Sequence, residues 1–229
     1  TVVLMIVVCT HNGCQQLKQL ISGFEKYGTE NNKVVIVDTK SDDKESLKYL
    51  KKLENYSGDF EIKVEYLENN WYEVGAFAHA YRQYSDDYYL FMHDSIVLKK
   101  EGWFSSISKL LTDDIDVVAL ASFPFYFSNR KQIEWFARQF KQKWNNPQLG
   151  IAGCQFYTSE KTLDYLSSKG WLNFNPSCKN EGCAMERGLA IVFQEANLNV
   201  TYMSDTKFLN TPYMEKYVAE GEKKMVLSI

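Results

Sequence analysis

An unbroken apolar run, Val2 to Val8, opens the chain in place of the alternation a half-exposed strand would show. So short a β-branched and aliphatic run predicts a central parallel strand covered on both faces. The polar turn Cys9-Thr10-His11-Asn12-Gly13 ends it, and Leu17, Leu20, Ile21 and Phe24 then recur at helical spacing. Val34 to Val37 repeat the buried-strand pattern up to Asp38. Thr39 to Asp43 supply caps for a lysine-rich helix whose Leu47, Leu50 and Leu53 are expected to point inward. Ile62, Val64 and Tyr66 alternate with Lys63 and Glu65 in a third, shorter strand. A helix around Val74, Phe77, Ala78 and Tyr81 follows Glu68-Asn69-Asn70, and a fourth strand, Tyr88 to Met92, runs into His93-Asp94-Ser95.

This strand–helix repetition predicts an α/β fold on a mostly parallel central sheet flanked by helices, with right-handed crossovers. Trp103, Ile107, Leu110 and Leu111 mark another helix, and Val117 to Ala121 another strand. The pattern then changes. Phe123 to Trp144 interleaves aromatics with Arg130, Lys131, Arg138, Lys141 and Lys143. Two readings stand for it: an acceptor-binding surface, or a partly buried helical hairpin with solvated lysines. Gly150 to Tyr157 reads as a strand whose glycines would let backbone approach a sugar closely. Ser159 to Lys169 reads as a helix closed by Gly170, Gly182 to Asn197 contains a further helix, and Leu198 to Met203 a last strand. No repeat or linker divides the 229 residues, so one domain with two functional halves, 1–100 and 101–229, is expected.

Composition narrows the partners. A formal charge of −3 argues against nucleic acid or an anionic membrane surface. Aromatics make up 15% of the chain, which suits a core and also the stacking of sugars. Cys9, Cys14, Cys154, Cys178 and Cys183 are odd in number and lack zinc-site spacing, so they read as reduced thiols of a cytoplasmic protein. No apolar run reaches the ~18 residues that span a bilayer. Thr1 to Val8 lacks the basic flank of a signal peptide, and a Thr at position 1 fits a processed chain or one domain of a longer one.

In open parallel sheets, ligands gather beyond the carboxyl ends of the strands. Here those ends carry Thr10-His11-Asn12, Asp38 and His93-Asp94-Ser95. Neither the dinucleotide fingerprint G-x-G-x-x-G in the first turn nor the P-loop pattern is present.

Taken together, four segments resemble the inverting, family 2-like glycosyltransferases of the GT-A fold, over roughly residues 2–100. Val7-Val8-Cys9-Thr10-His11-Asn12 is similar to that family's first strand and nucleotide loop, and Val35-Ile36-Val37-Asp38 with Ser41-Asp42-Asp43 to its second strand. Asn69-Asn70 followed by Gly75-Ala76 resembles the segment after the third strand, and Tyr89 to Leu98 the fourth strand with its acidic metal motif. The resemblance implies a nucleotide-sugar donor of UDP or dTDP type, lined by Thr10, His11, Asn12, Asp38, Asn70, Gly75 and His93. It implies Mn2+ or Mg2+ held by Asp94, and a glycan, glycoprotein or glycolipid acceptor bound by the second half. A surface-polysaccharide or a viral setting is what it suggests.

Three departures or alternatives accompany it. The family's Asp-x-Asp reads His93-Asp94-Ser95 here, leaving one sure carboxylate, which could instead cap a turn. Asp38 could cap the next helix, although Ser41, Asp42 and Asp43 are available for that. The general base implied by the family is an acid opening a late helix, and Glu186 or its rival Glu181 could fill the role. Two other functions remain in view: a GT-A-like module that binds without turnover, and a sugar-1-phosphate nucleotidyltransferase, whose long glycine-rich first loop is missing.

Overall fold

The computed structural model describes residues 4–29, 33–124, 130–141, 149–203 and 207–210. The opening run forms β1 (Leu4–Thr10), every residue of it buried. Its odd and even positions feed two different cores, which is why the sequence shows no alternation. Met5, Val7 and Cys9 pack with Phe77, Phe91, Phe156 and Met185 on one face. Leu4, Ile6 and Val8 pack with Leu17, Phe24, Leu50 and Trp103 on the other.

Around β1 the described residues build a seven-stranded sheet in the order β10-β6-β9-β4-β1-β2-β3. Its members are β2 (Lys33–Asp38), β3 (Glu61–Tyr66), β4 (Tyr88–His93), β6 (Val117–Ala119), β9 (Phe156–Ser159) and β10 (Val200–Tyr202). The β3-β2-β1-β4 run is parallel, and β10 is parallel to β6. β9 enters between β4 and β6 and runs antiparallel to both. Two small antiparallel pairs lie apart from the main sheet: β5 (Val97–Leu98) with β11 (Leu209–Asn210), and β7 (Ser122–Pro124) with β8 (Leu149–Ile151).

The helices are α1 (Cys14–Tyr27), α2 (Lys44–Leu53), α3 (Tyr72–Gln83), α4 (Trp103–Ser108), α5 (Arg130–Gln139), α6 (Glu160–Ser168) and α7 (Lys179–Glu195). Asp43 caps α2 by accepting the Ser46 N–H, and Ser159 caps α6 by accepting that of Thr162. Gly170, at φ 84, sits where α6 ends, in a conformation that glycine adopts without strain. α5 and α7 approach closely because Gly188 has no side chain: a Cβ there would lie 2.2 Å from the Phe136 ring.

Several expectations need correcting. Leu47 is 38% exposed and Tyr66 39%, so neither joins the core. Tyr66 lies on the edge strand and donates its hydroxyl to Glu54, whereas Leu50 and Leu53 are buried. Gly150 to Tyr157 is not one strand. A 3-10 turn, Ala152–Cys154, separates β8 from β9, and Gly153 (φ 61) and Cys154 (φ 54) leave the extended region there. The strand starting at Val117 ends at Ala119, two residues sooner than its apolar run. The late helix begins at Lys179, so Glu186 lies in its middle and Glu181 in its first turn. Val2, Val3, Phe125, Tyr126, Phe127, Lys143 and Trp144 lie outside the described residues.

Candidate active site

The parallel register gathers the polar strand ends. Thr10 pairs with Asp38 across β1 and β2, and Cys9 pairs with His93 across β1 and β4. One residue beyond β4, the Asp94 N–H donates to the Cys9 carbonyl at 3.1 Å, which carries the chain over the end of β1. Asp94 then accepts the Thr10 hydroxyl at 2.6 Å. Its Oδ2 fills the space where a side chain at Gly13 would stand, since a Cβ there would lie only 1.8 Å away. Burial pushes the Asp94 carboxyl above the usual carboxylate range, and nearby Glu73 adds to the rise. The Thr10 hydroxyl and His93 act in the opposite sense.

The residues of the turn after β1 are tied to the loop after β2. Asp38 is 2% exposed and accepts both the Ser41 hydroxyl at 2.5 Å and the Ser41 N–H. Asn12, at φ 53, accepts the N–H groups of Asp42 and Asp43 and donates to the Asp42 carboxylate at 2.8 Å. The His11 ring meets the Thr39 carbonyl at 2.9 Å. Thr10 and Asp38 thus stand at the strand ends, while Asn12 braces the two loops through its own side chain.

Asn70 and Gly75 are placed farther along, at the start of α3. Asn70 accepts the Tyr72 N–H at 3.1 Å. A Cβ on Gly75 would lie 2.1 Å from the Trp71 Cβ, so its lack of a side chain lets the helix start close against that indole.

A second group forms around the break between β8 and β9. His93 is 8% exposed, and its Nε2 lies 2.9 Å from the Gly153 carbonyl. A carbonyl can only accept, so this nitrogen carries the proton. The same Nε2 is 3.5 Å from Glu73 Oε1. On its other side, the Gly153 N–H donates to Glu186 Oε1 at 2.7 Å. Glu186 has a side chain 20% exposed, and Arg187 stands 3.5 Å from its second oxygen. Burial raises the Glu186 carboxyl above the usual range, with Glu73 adding to it; the Gly153 N–H, Arg187 and His93 oppose.

Glu181 is apart from this group and folds back as a local brace. Its carboxylate accepts the N–H and the hydroxyl of Ser177 at 2.7 and 2.8 Å. All five cysteines are free thiols, and burial raises Cys9 and Cys154 well above an ordinary thiol.

The sequence pattern did not mark Glu73 or Gly13 as site residues, and it marked Gly153 only for a close approach of backbone to a sugar. A usable signal existed for Glu73. Any helix that follows a parallel strand starts at the ligand edge of the sheet, so a first-turn acid there faces the site. What the two glycines make room for was not legible, because Asp94 and His93, which fill the place of their side chains, are far away in sequence.

Comparison with known proteins follows the same outline. The sequence pattern of the family described as glycosyl transferase family 2 matches residues 5–167. No curated protein sequence matches the chain. The crystal structure of S. aureus TarS 1-349 superposes with a TM-score of 0.57 at 15% identity, covering 91% of this chain and 60% of that one. The same protein in complex with UDP-GlcNAc gives 0.53 at 14%, covering 93% and 60%. The mannosyltransferase PcManGT from Pyrobaculum calidifontis, in complex with GDP-Man and Mn2+, gives 0.56 at 13%, covering 88% and 55%. At such identities the likeness is one of fold, and the chain spans no more than about three-fifths of the length of these structures. Among the described residues no helix is long and apolar enough to cross a membrane.

Proposed function

Since the chain belongs to glycosyl transferase family 2, we propose that it moves a sugar from a nucleoside-diphosphate donor to a hydroxyl of a glycan, glycoprotein or glycolipid, inverting the anomeric carbon. One observation carries the reading. The strand ends bearing Thr10, Asp38 and Asp94 connect, through His93 beside Asp94 and then Gly153, to a mostly buried carboxylate, Glu186, whose affinity for a proton is raised. This linkage supports reading the strand ends as a donor platform and Glu186 as the base. Family membership supports the donor side, while Glu186 lies beyond the matched residues and rests on its geometry.

In this reading the first hundred residues hold the donor. Asp38, fixed by Ser41, borders the nucleoside and accepts from a base N–H or a ribose hydroxyl. UDP and dTDP types are the donors we favour, and UDP and UDP-GlcNAc occupy TarS structures. Asp94 is a hard oxygen donor suited to Mn2+ or Mg2+. No group of three His, Cys, Asp or Glu that could hold an ion occurs among the described residues. Asp94, one residue beyond β4 and held by the Thr10 hydroxyl, would hold such an ion together with the bound diphosphate. When bound, the ion would neutralise charge on the departing diphosphate.

Glu186 takes the proton from the acceptor hydroxyl as that oxygen forms its bond to the anomeric carbon. The bond from that carbon to the diphosphate oxygen breaks, and its electron pair leaves with the nucleoside diphosphate. Thr10 keeps Asp94 aligned, and the Gly153 N–H keeps Glu186 aimed. The second half, residues 101–229, forms the acceptor side of one catalytic domain. The free thiols fit a cytoplasmic enzyme, and surface-polysaccharide synthesis is the setting we favour.

The test is a panel of nucleotides and nucleotide sugars screened by thermal shift with and without Mn2+, followed by UDP release with candidate acceptors. A donor at 100 times its Kd should add about 2.7 kcal/mol of stability. No stabilisation by any nucleotide or nucleotide sugar at millimolar concentration would remove the reading.

A further inference from the structure

The start of α3 is held in a conformation its sequence does not favour. Tyr72 has φ 55, left-handed backbone that strains a bulky residue and persists only where the surroundings impose it. Here two contacts do so. Asn70 Oδ1 accepts the Tyr72 N–H, and the Tyr72 ring lies on Gly182 of α7, where a Cβ would meet Cγ at 3.2 Å. The next residue is Glu73, and its carboxylate reaches the His93 Nε2 that also donates to the Gly153 carbonyl.

Gly153 is consequently held from both ends of its residue. His93 holds its carbonyl, and Glu186 accepts its N–H. Its φ of 61 suits glycine, and a Cβ would lie 2.9 Å from two atoms of the His93 ring, so the two residues fit each other closely. Glu186 itself projects from the middle of α7 on a long, rotatable stem. The Gly153 bond, at 2.7 Å, is much shorter than the 3.5 Å approach of Arg187 and is the contact that fixes its rotamer.

We propose that Glu73, His93 and Gly153 form a positioning chain that sets the aim of the Glu186 carboxylate, so that the base is oriented from the start of α3 rather than by its own helix. This rests on Glu186 being the base. Neither Glu73 nor Gly153 need touch substrate. A base held loosely by about 1 Å loses on the order of a hundredfold in rate, and a chain of three contacts is how that looseness is removed.

The experiment compares Glu73→Ala, Glu73→Gln, Gly153→Ala, Glu186→Gln and the double variant Glu73→Ala/Glu186→Gln, each confirmed folded by near-UV circular dichroism. Turnover is read as UDP release from the nucleotide sugar that most stabilises the chain in the panel above. Glu73→Ala and Gly153→Ala should each lower kcat about ten- to a hundredfold with little change in donor KM. Glu73→Gln, which keeps an acceptor for His93, should recover most of the rate. Adding Glu73→Ala to Glu186→Gln should cost almost nothing more, since residues that act through one another are not additive. Equal losses from Glu73→Ala in both backgrounds, or an effect on KM alone, overturn the chain and leave Glu186 as the base. So does a folded Glu73→Ala with normal kcat beside a dead Glu186→Gln. Full turnover in Glu186→Gln overturns the base, and the chain with it.

Discussion

Replacing Gly13 by Ala isolates the placement of Asp94 from almost everything else. The backbone there, φ −102 and ψ 35, is open to any residue, so the new methyl adds no dihedral strain. Its obstacle is the carboxylate: the Cβ would stand 1.8 Å from Asp94 Oδ2 and 2.9 Å from its Cγ. Carbon and oxygen do not approach within 3.0 Å, so the carboxylate must retreat by more than an ångström and give up the Thr10 hydroxyl at 2.6 Å. A lost hydrogen bond to a charged group costs about 1.5–3 kcal/mol. The smaller conformational freedom of Ala in the unfolded chain returns roughly 0.4–1 kcal/mol. The net loss, about 1–2 kcal/mol, lowers Tm by roughly 2–8 °C. Function should suffer far more if Asp94 holds the metal ion as proposed, since a misplacement of about 1 Å costs on the order of a hundredfold in rate. The assay is UDP release as Mn2+ is titrated, with Gly23→Ala as the control. In that control a Cβ would meet Leu98 at 3.1 Å, remote from the site, and kcat should be unchanged. A Gly13→Ala protein with normal kcat and normal Mn2+ dependence would refute the reasoning that the Asp94 position serves turnover.

Glu186→Gln should lower kcat about 10²–10⁴-fold, the usual contribution of a positioned base, and the same change at Glu181, a brace for Ser177, should be far milder. Burial raises the folded-state affinity of Glu186 for its proton, so its contribution to stability is present below the unfolded pKa and lost as pH rises through the folded one. Glu186→Gln should therefore melt higher than the parent at neutral pH and lose that advantage in acid; a lower melting temperature at neutral pH would contradict the buried-carboxylate account. Asp38→Ala should weaken UDP binding by ~1–3 kcal/mol in calorimetry, and unchanged affinity in a folded protein would dismiss the contact. Chelator should suppress turnover and Asp94→Asn should nearly abolish it, whereas full rate in excess EDTA would identify a metal-independent transfer.

The elements were legible because their signals are local. A buried parallel strand must be apolar throughout, an amphipathic helix must repeat near every third and fourth residue, and Asp43 caps the helix that begins one residue later. Once strand and helix alternate, the strand ends are the ligand edge, so Thr10, Asp38, His93 and Asp94 could be singled out without a structure. Exposure on a helix was less legible: Leu47 has the same spacing as Leu50 and Leu53 yet faces outward, because the width of the buried stripe is set by what packs on it.

The sequence by itself thus determined the parallel strands and the polar residues at their carboxyl ends. Tertiary structure alone decided which late residues meet them. β9 enters antiparallel between β4 and β6, which sets the turn before it against the end of β4 and brings Gly153 to His93. α7 then delivers Glu186 from its middle rather than its start, and α3 delivers Glu73. Periodicity reports which face of an element is buried, and it says nothing about which element lies opposite. The contacts linking Glu73, His93, Gly153 and Glu186 join residues twenty to sixty positions apart, from α3, β4, the turn before β9 and α7, and only the packed sheet sets those distances.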